Sequence, residues 1–344
     1  MIFTIGMPIK LFQRGKSMSN ERRIRTAIIG CGGYPYRFLY ECMKALPFQL
    51  VAISDECEAM SRFSERYCVS AQYENHCEMI LKEKPEFVLV FPQEKDQYRI
   101  AVDCVKAGAY VFCERPISRN ISEIQELVTL QRKMGCSVIP RLNRRFTPSY
   151  IMARSVLNQP EFGKPSMYFA KYHAQPYASE ESFIWNHIIH HLDVARYLLG
   201  EISILFVDKV LQSETKMGFN ILFKSEQGCS GVLQTSSLQR GEYPVERVEI
   251  TGYERNLMID NLRYVEYLRP SSTKTIPSDM VLREGEDALV WKPNSAQLNN
   301  FSYYGFETCF AHIAECILSK KASEHDISDM INTLKLVEQV AKMI

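Results

Sequence analysis

The sequence predicts an α/β protein of two domains. The chain has 344 residues, and roughly 150 residues per domain favours two of them. Between Ile24 and Pro140, short β-rich runs alternate with stretches of helical length, which specifies βαβ units and a parallel sheet. After about residue 141 this alternation stops, and a mostly antiparallel sheet is expected. The chain divides into an extension, a first domain and a second domain at residues 1–20, 21–141 and 142–344.

The first domain contains five runs that are typical of buried strands, namely RTAIIG, QLVAIS, EFVLVF, AYVFC and SVIP. One of the helices between them is specified in detail. Apolar residues recur at helical spacing from Ile121 to Met134, and Asn120 followed by Glu123 supplies a cap and its reciprocal partner. This pattern predicts a helix that begins directly after Asn120.

The second domain opens with a short predicted helix at 149–157. Its strand-like runs are SMYFAKYH, ILFVDKVL, GFNILFK, GVLQTSS and RVEITG. An apolar stripe from Phe306 to Ile317 predicts a further helix, and a last helix is expected at 327–343. The polar stretch 270–300 predicts a loop or an excursion.

Composition excludes several classes of protein. The formal charge of +1 supplies no field for binding nucleic acid or an anionic membrane, and no apolar run reaches the roughly 18 residues of a membrane span. The first twenty residues carry their basic residues after the apolar segment, unlike a secretory signal, and Met18 is an alternative start. The 11 cysteines form no C-x-x-C pair, which indicates reduced thiols in a cytoplasm and neither a disulfide framework nor a metal site.

A glycine-rich turn follows the first predicted strand and precedes an amphipathic helix. Its residues are Gly30, Cys31, Gly32, Gly33 and Tyr34. Glycines allow a pyrophosphate to approach closely, and the free N–H groups of the helix start attract it. The second strand ends at Asp55, where a carboxylate can accept hydrogen bonds from both adenosine ribose hydroxyls. We therefore predict a bound dinucleotide, and NAD over NADP. The third position of the glycine pattern is Pro35, which departs from the small residue expected there.

Several motifs in order make the chain resemble the Gfo/Idh/MocA family, the glucose-fructose oxidoreductase and inositol dehydrogenase type. The similarity runs from Ile24 to the carboxyl terminus. Its motifs are Cys113-Glu114-Arg115-Pro116, Asn143-Arg144-Arg145-Phe146-Thr147-Pro148, and His190-His191-Leu192-Asp193 continued by Arg196, Leu198 and Gly200. The resemblance implies a doubly wound Rossmann domain followed by an α/β domain. The large open sheet of the second domain would form a homodimer or homotetramer.

The resemblance also implies functional residues. In the family, hydride passes between nicotinamide and a carbon of a sugar, polyol or related carbonyl compound, and a lysine and a histidine lie near the reacting oxygen. By position these are Arg115 and His190. Arginine does not transfer protons at neutral pH, so proton transfer would rest on His190. Cofactor contacts are implied for Phe91, Pro92, Gln97, Glu114 and Arg115, although the family's T-P-N-x-x-H stretch is matched only loosely.

The histidine segment itself predicts a polar stripe. At helical spacing, Asn186, His190, Asp193 and Tyr197 fall on one face. An amide and a carboxylate beside a histidine suit an oriented acid/base group, with Asn186 and Asp193 positioning the ring. The alternative is a solvated face or a structural His-Asp pair. His187 and His191 are spaced for zinc, but no third ligand is evident.

Other polar residues are weaker candidates. Lys171, Tyr172 and His173 end a strand shortly before the histidine helix, and are expected either to reach a substrate hydroxyl or to form a solvated strand end. Arg144 and Arg145 are expected to anchor the segment between the domains. The remaining histidines are interpreted as isolated, and they are His76, His312 and His325.

These observations lead to one main hypothesis and two alternatives. The main hypothesis is an NAD-dependent oxidoreductase acting on a small polyhydroxylated or carbonyl compound, with Arg115 stabilising the developing oxyanion. Arg115 could instead favour a carboxylated substrate. The first alternative is an NAD-binding sensor that has lost turnover. The second is a reductase of unsaturated or imine substrates, which needs a hydride donor more than a base.

Overall fold

The computed structural model describes residues 22–31, 34–240, 244–270, 286–292 and 300–344. The predicted extension with Met18, and Gly32 and Gly33 of the glycine turn, lie outside these residues, as does the side chain of Tyr34. No helix in the described part of the chain is long and apolar enough to cross a membrane.

The first domain is a six-stranded parallel sheet in the order β3-β2-β1-β4-β5-β6. Its strands are β1 Ile24–Ile29, β2 Phe48–Ser54, β3 Gln72–Tyr73, β4 Phe87–Val90, β5 Tyr110–Cys113 and β6 Val138–Pro140. Its helices are α1 Tyr34–Met43, α2 Cys57–Tyr67, α3 His76–Glu83, α4 Glu94–Lys106 and α5 Ile121–Met134. All five predicted strands are present, and β3 is an addition. The order reverses between β1 and β4, which is where doubly wound sheets bind ligands.

The predicted helix after Asn120 is confirmed as α5. The Asn120 side chain accepts a hydrogen bond from the Ser122 N–H at 2.9 Å, and Gly135 ends the helix in the left-handed conformation. Ile124, Leu127 and Val128 are buried, on a helix that packs against α4 and against the last helix, Ile327–Met343. The Asn120 cap and the periodicity therefore agree at this helix. Glu123, predicted as the reciprocal cap, instead accepts a hydrogen bond from the Ser118 hydroxyl, and Ser118 accepts one from the Asn120 N–H.

The second domain is built on an eight-stranded sheet in the order β14-β13-β12-β11-β7-β10-β9-β8. The strands are β7 Met167–His173, β8 Ile202–Ser213, β9 Lys216–Ser225, β10 Ser230–Ser236, β11 Val245–Gly252, β12 Arg255–Asp260, β13 Tyr264–Pro270 and β14 Glu286–Trp291. Only β7 and β10 pair in parallel, so the sheet is mostly antiparallel as predicted. Strand β14 lies within the stretch 270–300 and pairs with β13, so the described part of this stretch is an excursion and not a simple loop, whereas 271–285 and 293–299 lie outside the described residues.

The remaining helices are α6 Pro148–Leu157, α7 Glu180–Phe183, α8 Ile189–Leu199, α9 Asn300–Tyr303, α10 Phe306–Ser319 and α11 Ile327–Met343. A 3-10 turn, Asn143–Phe146, precedes α6, and a π-helical turn, Ile184–Ile188, joins α7 to α8. Helix α10 returns to the first domain, where the Phe310 ring lies 5.1 Å from that of Phe112. The two domains therefore share buried aromatic contacts, which fix the cleft between them.

Candidate active site

The turn after β1 requires glycine at position 30. Gly30 has a φ of +87°, and a Cβ placed there would lie 2.3 Å from the Phe91 carbonyl oxygen. Its N–H donates to the Ser54 carbonyl at 2.9 Å, and so the turn is tied to β2. At this turn the main chains that follow β1, β2 and β4 therefore lie in direct contact, with no side chain between them. This close approach is the geometry that a dinucleotide pyrophosphate needs.

Asp55 lies at the carboxyl end of β2, as predicted. Its Oδ2 accepts a hydrogen bond from the Cys31 N–H, and its Oδ1 accepts from the Glu56 N–H at 2.8 Å. These two main-chain bonds orient the Asp55 carboxylate, a group with about four acceptor positions. Nearby, Arg62 is paired with Glu58 at 2.8 Å, and this guanidinium is therefore engaged by a carboxylate. The residues present fit the adenosine end of a dinucleotide.

Arg115 follows β5 and is held in a buried ion-pair chain. Its Nη1 donates to Glu114 Oε2 at 2.7 Å, and Arg141, which follows β6, lies 2.5 Å from Glu114 Oε1. Strands β5 and β6 pair in parallel, with Cys113 opposite Pro140, so the two arginines emerge side by side. The two cations hold the pKa of Glu114 below its ordinary value despite burial. One carboxylate is thus shared between two guanidinium groups.

The same arginine reaches across the cleft to His190. Arg115 Nη2 donates to His190 Nε2 at 2.8 Å and to the Asn186 carbonyl at 3.1 Å. Burial, together with Arg115 and other arginines, holds the pKa of His190 well below its ordinary value. The imidazole is therefore neutral with its lone pair on Nε2, and its proton is on Nδ1. Nδ1 is buried and has no hydrogen-bond partner among the described residues.

The wall of the cleft that carries His190 also contains a second histidine and two tyrosines. His187 stacks on Tyr172 with ring centroids 3.9 Å apart, and its Nε2 donates to the Tyr172 carbonyl at 3.0 Å. Burial lowers the pKa of His187 to about 3, so its Nδ1 accepts a hydrogen bond from the Tyr177 hydroxyl at 3.3 Å. The π-helical turn places His187 and His190 on this wall together, and such turns are frequent at functional sites.

These side chains surround a cavity of about 460 Å³ between the domains. This volume is within the range of small-molecule sites. Its lining consists of Arg115, Arg141, Asn143, Arg144, Tyr172, Ala174, Gln175, Pro176, Tyr177, His187, His190, Pro244, Tyr304 and Phe306. Sequence reasoning identified Arg115, Tyr172 and His190, but missed Arg141 and Tyr177. The position of Arg141 directly after the strand run SVIP was a usable signal, because neighbouring parallel strands end at one edge.

The prediction that Asp193 and the Asn186 side chain position the His190 ring is wrong. Asp193 is buried and receives two hydrogen bonds from Arg145, at 2.7 and 2.5 Å, and one from Thr333 at 3.0 Å. The Asn186 amide bonds to Ser182, and Asn186 contributes its main-chain carbonyl to Arg115 instead. The histidine helix is buried on nearly all sides, so its polar residues bind different neighbours.

Two further residues that were predicted to contact the substrate do not line this cavity. Lys171 is on the opposite face of β7 from Tyr172, because side chains alternate along a strand, and its Nζ lies over the Phe169 ring. Tyr197 packs on the Arg154 guanidinium at 4.4 Å and lines a separate small cavity. His173 bonds to Ser236 at 2.8 Å. Of the strand-end trio, only Tyr172 lines the candidate site.

The arginines of the interdomain segment are anchors, as expected. Arg144 Nε donates to Glu246 at 3.1 Å, and its Nη2 donates to the Tyr172 hydroxyl at 3.1 Å. Arg145 pairs with Asp193 and with Asp329. Both members of each ion pair are buried, in the pair of Arg144 with Glu246 and in the pair of Arg145 with Asp193. Their charges therefore hold β11 and the histidine helix to the 3-10 turn.

The remaining histidines have close partners. His191 lies 3.3 Å from Glu246, and His187 is occupied by Tyr172 and Tyr177, so the two do not share a ligand position. The three histidines interpreted as isolated also have neighbours: His76 bonds to Asp103 at 3.0 Å, and the His312 and His325 rings lie 5.6 Å apart.

The other cofactor candidates lie along the edge of the first sheet. Phe91 is buried, with its carbonyl against Gly30, and Pro92 follows it. Gln97 is buried on α4, and its Oε1 has no partner within the described part of the chain. The Glu114 carboxylate is occupied by Arg115 and Arg141.

A doubly wound sheet with a glycine turn, an acidic strand end and an interdomain cavity has the architecture of a dinucleotide-binding protein. Comparison with known proteins is consistent with this class. Residues 24–141 match the family described as the oxidoreductase family with an NAD-binding Rossmann fold, Gfo/Idh/MocA. The first domain is therefore similar to the NAD-binding domain of Gfo/Idh/MocA oxidoreductases.

Its relatives are distant in sequence. Myo-inositol 2-dehydrogenase of Thermotoga maritima is 26% identical over 230 residues, covering 62% of this chain and 68% of the relative. D-apiose dehydrogenase of Paraburkholderia graminis is 23% identical over 270 residues, covering 74% and 72%. The structure of levoglucosan dehydrogenase in complex with NADH and levoglucosan has a TM-score of 0.79 at 15% identity, with 94% of this chain and 97% of that chain covered.

Proposed function

We propose that the protein is an NAD-dependent oxidoreductase that interconverts a hydroxyl and a carbonyl group on a small sugar, polyol or related compound. The observation that carries the proposal is the 2.8 Å contact of Arg115 with His190 in a cavity between the domains. Relatives are named as inositol and apiose dehydrogenases, which supports this reaction class. When bound, nicotinamide supplies the hydride acceptor or donor.

His190 acts as the base in the oxidative direction. Its neutral imidazole has the Nε2 lone pair that a hydroxyl proton requires, and burial keeps that lone pair unprotonated at neutral pH. Arg115 occupies Nε2 in this structure, so the substrate oxygen must take the place of the guanidinium contact. Arg115 remains anchored by Glu114 and by the Asn186 carbonyl, and can donate to the developing oxyanion.

The occupied Nε2 also favours the sensor alternative. A base whose lone pair accepts a hydrogen bond from a permanent cation cannot accept a proton until that bond is broken. Enzyme and sensor are separated by titrating the protein with NADH and NADPH, and then screening sugars, inositols and keto compounds for a change in NADH absorbance. Turnover with any of them supports the enzyme, and tight nucleotide binding without turnover across the screen supports the sensor.

Asp55 is expected to select NAD and to hold its adenosine ribose. Charged hydrogen bonds contribute about 1.5–3 kcal/mol each, so Asp55→Ala should weaken NADH binding by roughly 10- to 100-fold, with little change for NADPH. Fluorescence titration of both nucleotides measures the effect. Glu58→Gln, which removes a neighbouring exposed carboxylate, is the matched control. Equal NADH affinity in Asp55→Ala and the parent protein would show that the ribose lies elsewhere.

We propose that the second sheet forms a homodimer or homotetramer. Leu205, Phe206, Val210 and Leu211 are exposed on β8, an unusual density of large apolar side chains for a solvated strand. Phe206→Glu should lower the mass measured by light scattering toward that of one chain, whereas Leu81→Glu, an exposed position in the first domain, should not. A parent protein with the mass of one chain would refute the proposal. We also propose a cytoplasmic location, because the ten cysteines whose side chains the structure describes are free thiols.

A further inference from the structure

The candidate site contains more positive than negative charge. Three guanidinium groups line the cavity, from Arg115, Arg141 and Arg144. Two carboxylates pair with them, since Glu114 is shared by Arg115 and Arg141, and Glu246 binds Arg144. The two lining histidines are neutral because burial lowers the pKa of each. The described lining therefore has one positive charge without a matching carboxylate.

This excess lies on the Arg115 and Arg141 side of the cavity. Arg144 has Glu246 as its own partner, at 3.1 Å. Arg115 is only 9% exposed, and its Nε has no hydrogen-bond partner among the described residues. Burial and the neighbouring Arg141 lower the pKa of Arg115 from its ordinary value, although it remains a cation. A buried cation with an unsatisfied donor is costly unless an anion or acceptor joins it.

The geometry suits a planar anion. Arg115 and Arg141 follow paired strands, and their guanidinium groups are bridged by a single carboxylate. Guanidinium groups bind carboxylates through parallel N–H bonds, which are stronger than bonds between neutral groups. A second carboxylate at this place would give each arginine its own counterion. It would also draw Arg115 away from His190 Nε2, and so release the base for the reacting hydroxyl.

We propose that the substrate is a carboxylate, a hydroxy acid or sugar acid, whose acid group is bound by Arg115 and Arg141. The inference rests on the proposed function for the reaction, but its anion site is defined by these arginines alone. It names the chemical class of the substrate and makes Arg141 a specificity-determining residue.

The test compares acids with their amides, which differ in charge and little in shape. Glucuronate, lactate and tartrate are titrated against glucuronamide, lactamide and tartramide by calorimetry, using the protein with and without saturating NADH. At least one acid should bind about 10- to 100-fold more tightly than its amide, since charge-assisted hydrogen bonds exceed neutral ones. Arg141→Gln should remove that advantage, and Arg99→Gln, a change in an exposed ion pair on α4, should preserve it.

Two results would overturn the proposal. One is the finding that, in all three pairs, the acid binds no more tightly than its amide. The other is an advantage that persists in Arg141→Gln. Titration without NADH tests the anion site even if no hydride transfer occurs. The carboxylate proposal can therefore be judged even if the proposed oxidoreductase activity is not found. Conversely, if the protein oxidises neutral polyols and binds acids and amides with equal affinity, the oxidoreductase proposal stands and the carboxylate proposal fails.

Discussion

His190→Asn is expected to lower kcat by about 10²- to 10⁴-fold, the usual contribution of a positioned acid or base. The asparagine can still accept a hydrogen bond from Arg115, so the ion-pair chain and the cavity wall should persist. The affinity for NADH should stay within about twofold, because the nucleotide contacts predicted from Gly30 and Asp55 are untouched. Steady-state kinetics and a separate NADH titration measure the two quantities.

The pH profile adds an independent expectation for the same residue. Because the pKa of His190 lies well below its ordinary value of about 6.5, the imidazole is neutral throughout the range from pH 6 to 8. The kcat/KM of the parent enzyme should therefore show no loss on lowering the pH from 8 to 6 that is due to this histidine. Such a loss, present in the parent and absent in His190→Asn, would contradict the neutral assignment.

A matched control is a histidine away from the cavity. His76→Asn removes an imidazole from the start of α3, where it bonds to Asp103. We expect its kcat to match that of the parent protein. If both variants lose activity equally, the loss reflects general damage to the fold and gives no support to His190 as the base.

Glu246→Gln is expected to reduce the free energy of unfolding by about 3–5 kcal/mol, the usual cost of removing one partner of a buried ion pair. Glu246 is 2% exposed, and it accepts hydrogen bonds from Arg144 and from the Tyr150 hydroxyl at 2.8 Å. The glutamine has nearly the same shape, so the loss comes from leaving the Arg144 charge buried without its counterion. Urea denaturation of both proteins measures the difference.

The sign of the pH dependence follows from the lowered pKa. Arg144 lowers the pKa of Glu246 to about 2, so its contribution is complete above its unfolded pKa of about 4.5 and is lost as the pH falls toward 2. The stability gap between parent and Glu246→Gln should therefore narrow in acid.

The control for Glu246 is on the same strand. Glu249→Gln, in an exposed pair with Arg247, should cost less than about 1 kcal/mol. A cost for Glu246→Gln as small as that of Glu249→Gln would show that Arg144 is compensated by another group.

Much of the site's framework was predictable because it depends on local patterns. The alternation of strands and helices predicted the parallel sheet, and a sheet of this type brings its carboxyl strand ends to one edge. Gly30 and Asp55 could be placed from their positions after β1 and β2. The pairing of Arg115 with His190 came from the family resemblance, because 75 residues separate them in the sequence.

The errors arose where tertiary partners decide the role of a side chain. A helical wheel groups Asp193 with His190, but Arg145 of the 3-10 turn takes the carboxylate. The wheel also assumes one polar and one apolar face, whereas the helix is buried on nearly all sides. The prediction that Lys171 contacts the substrate did not hold because Lys171 and Tyr172 lie on opposite faces of β7, and the two faces meet different surroundings. Arg145 lies 48 residues from Asp193 in the sequence, so no local pattern could identify it as the partner.

The most direct test of the account is a structure of the protein crystallised with NADH. The account predicts the adenosine ribose on the Asp55 carboxylate, the pyrophosphate against the turn at Gly30, and the nicotinamide ring in the cavity lined by Arg115 and His190. A nucleotide whose nicotinamide lies outside that cavity would contradict it. So would the absence of bound nucleotide from crystals grown with NADH at millimolar concentration, if titration in solution also shows no binding.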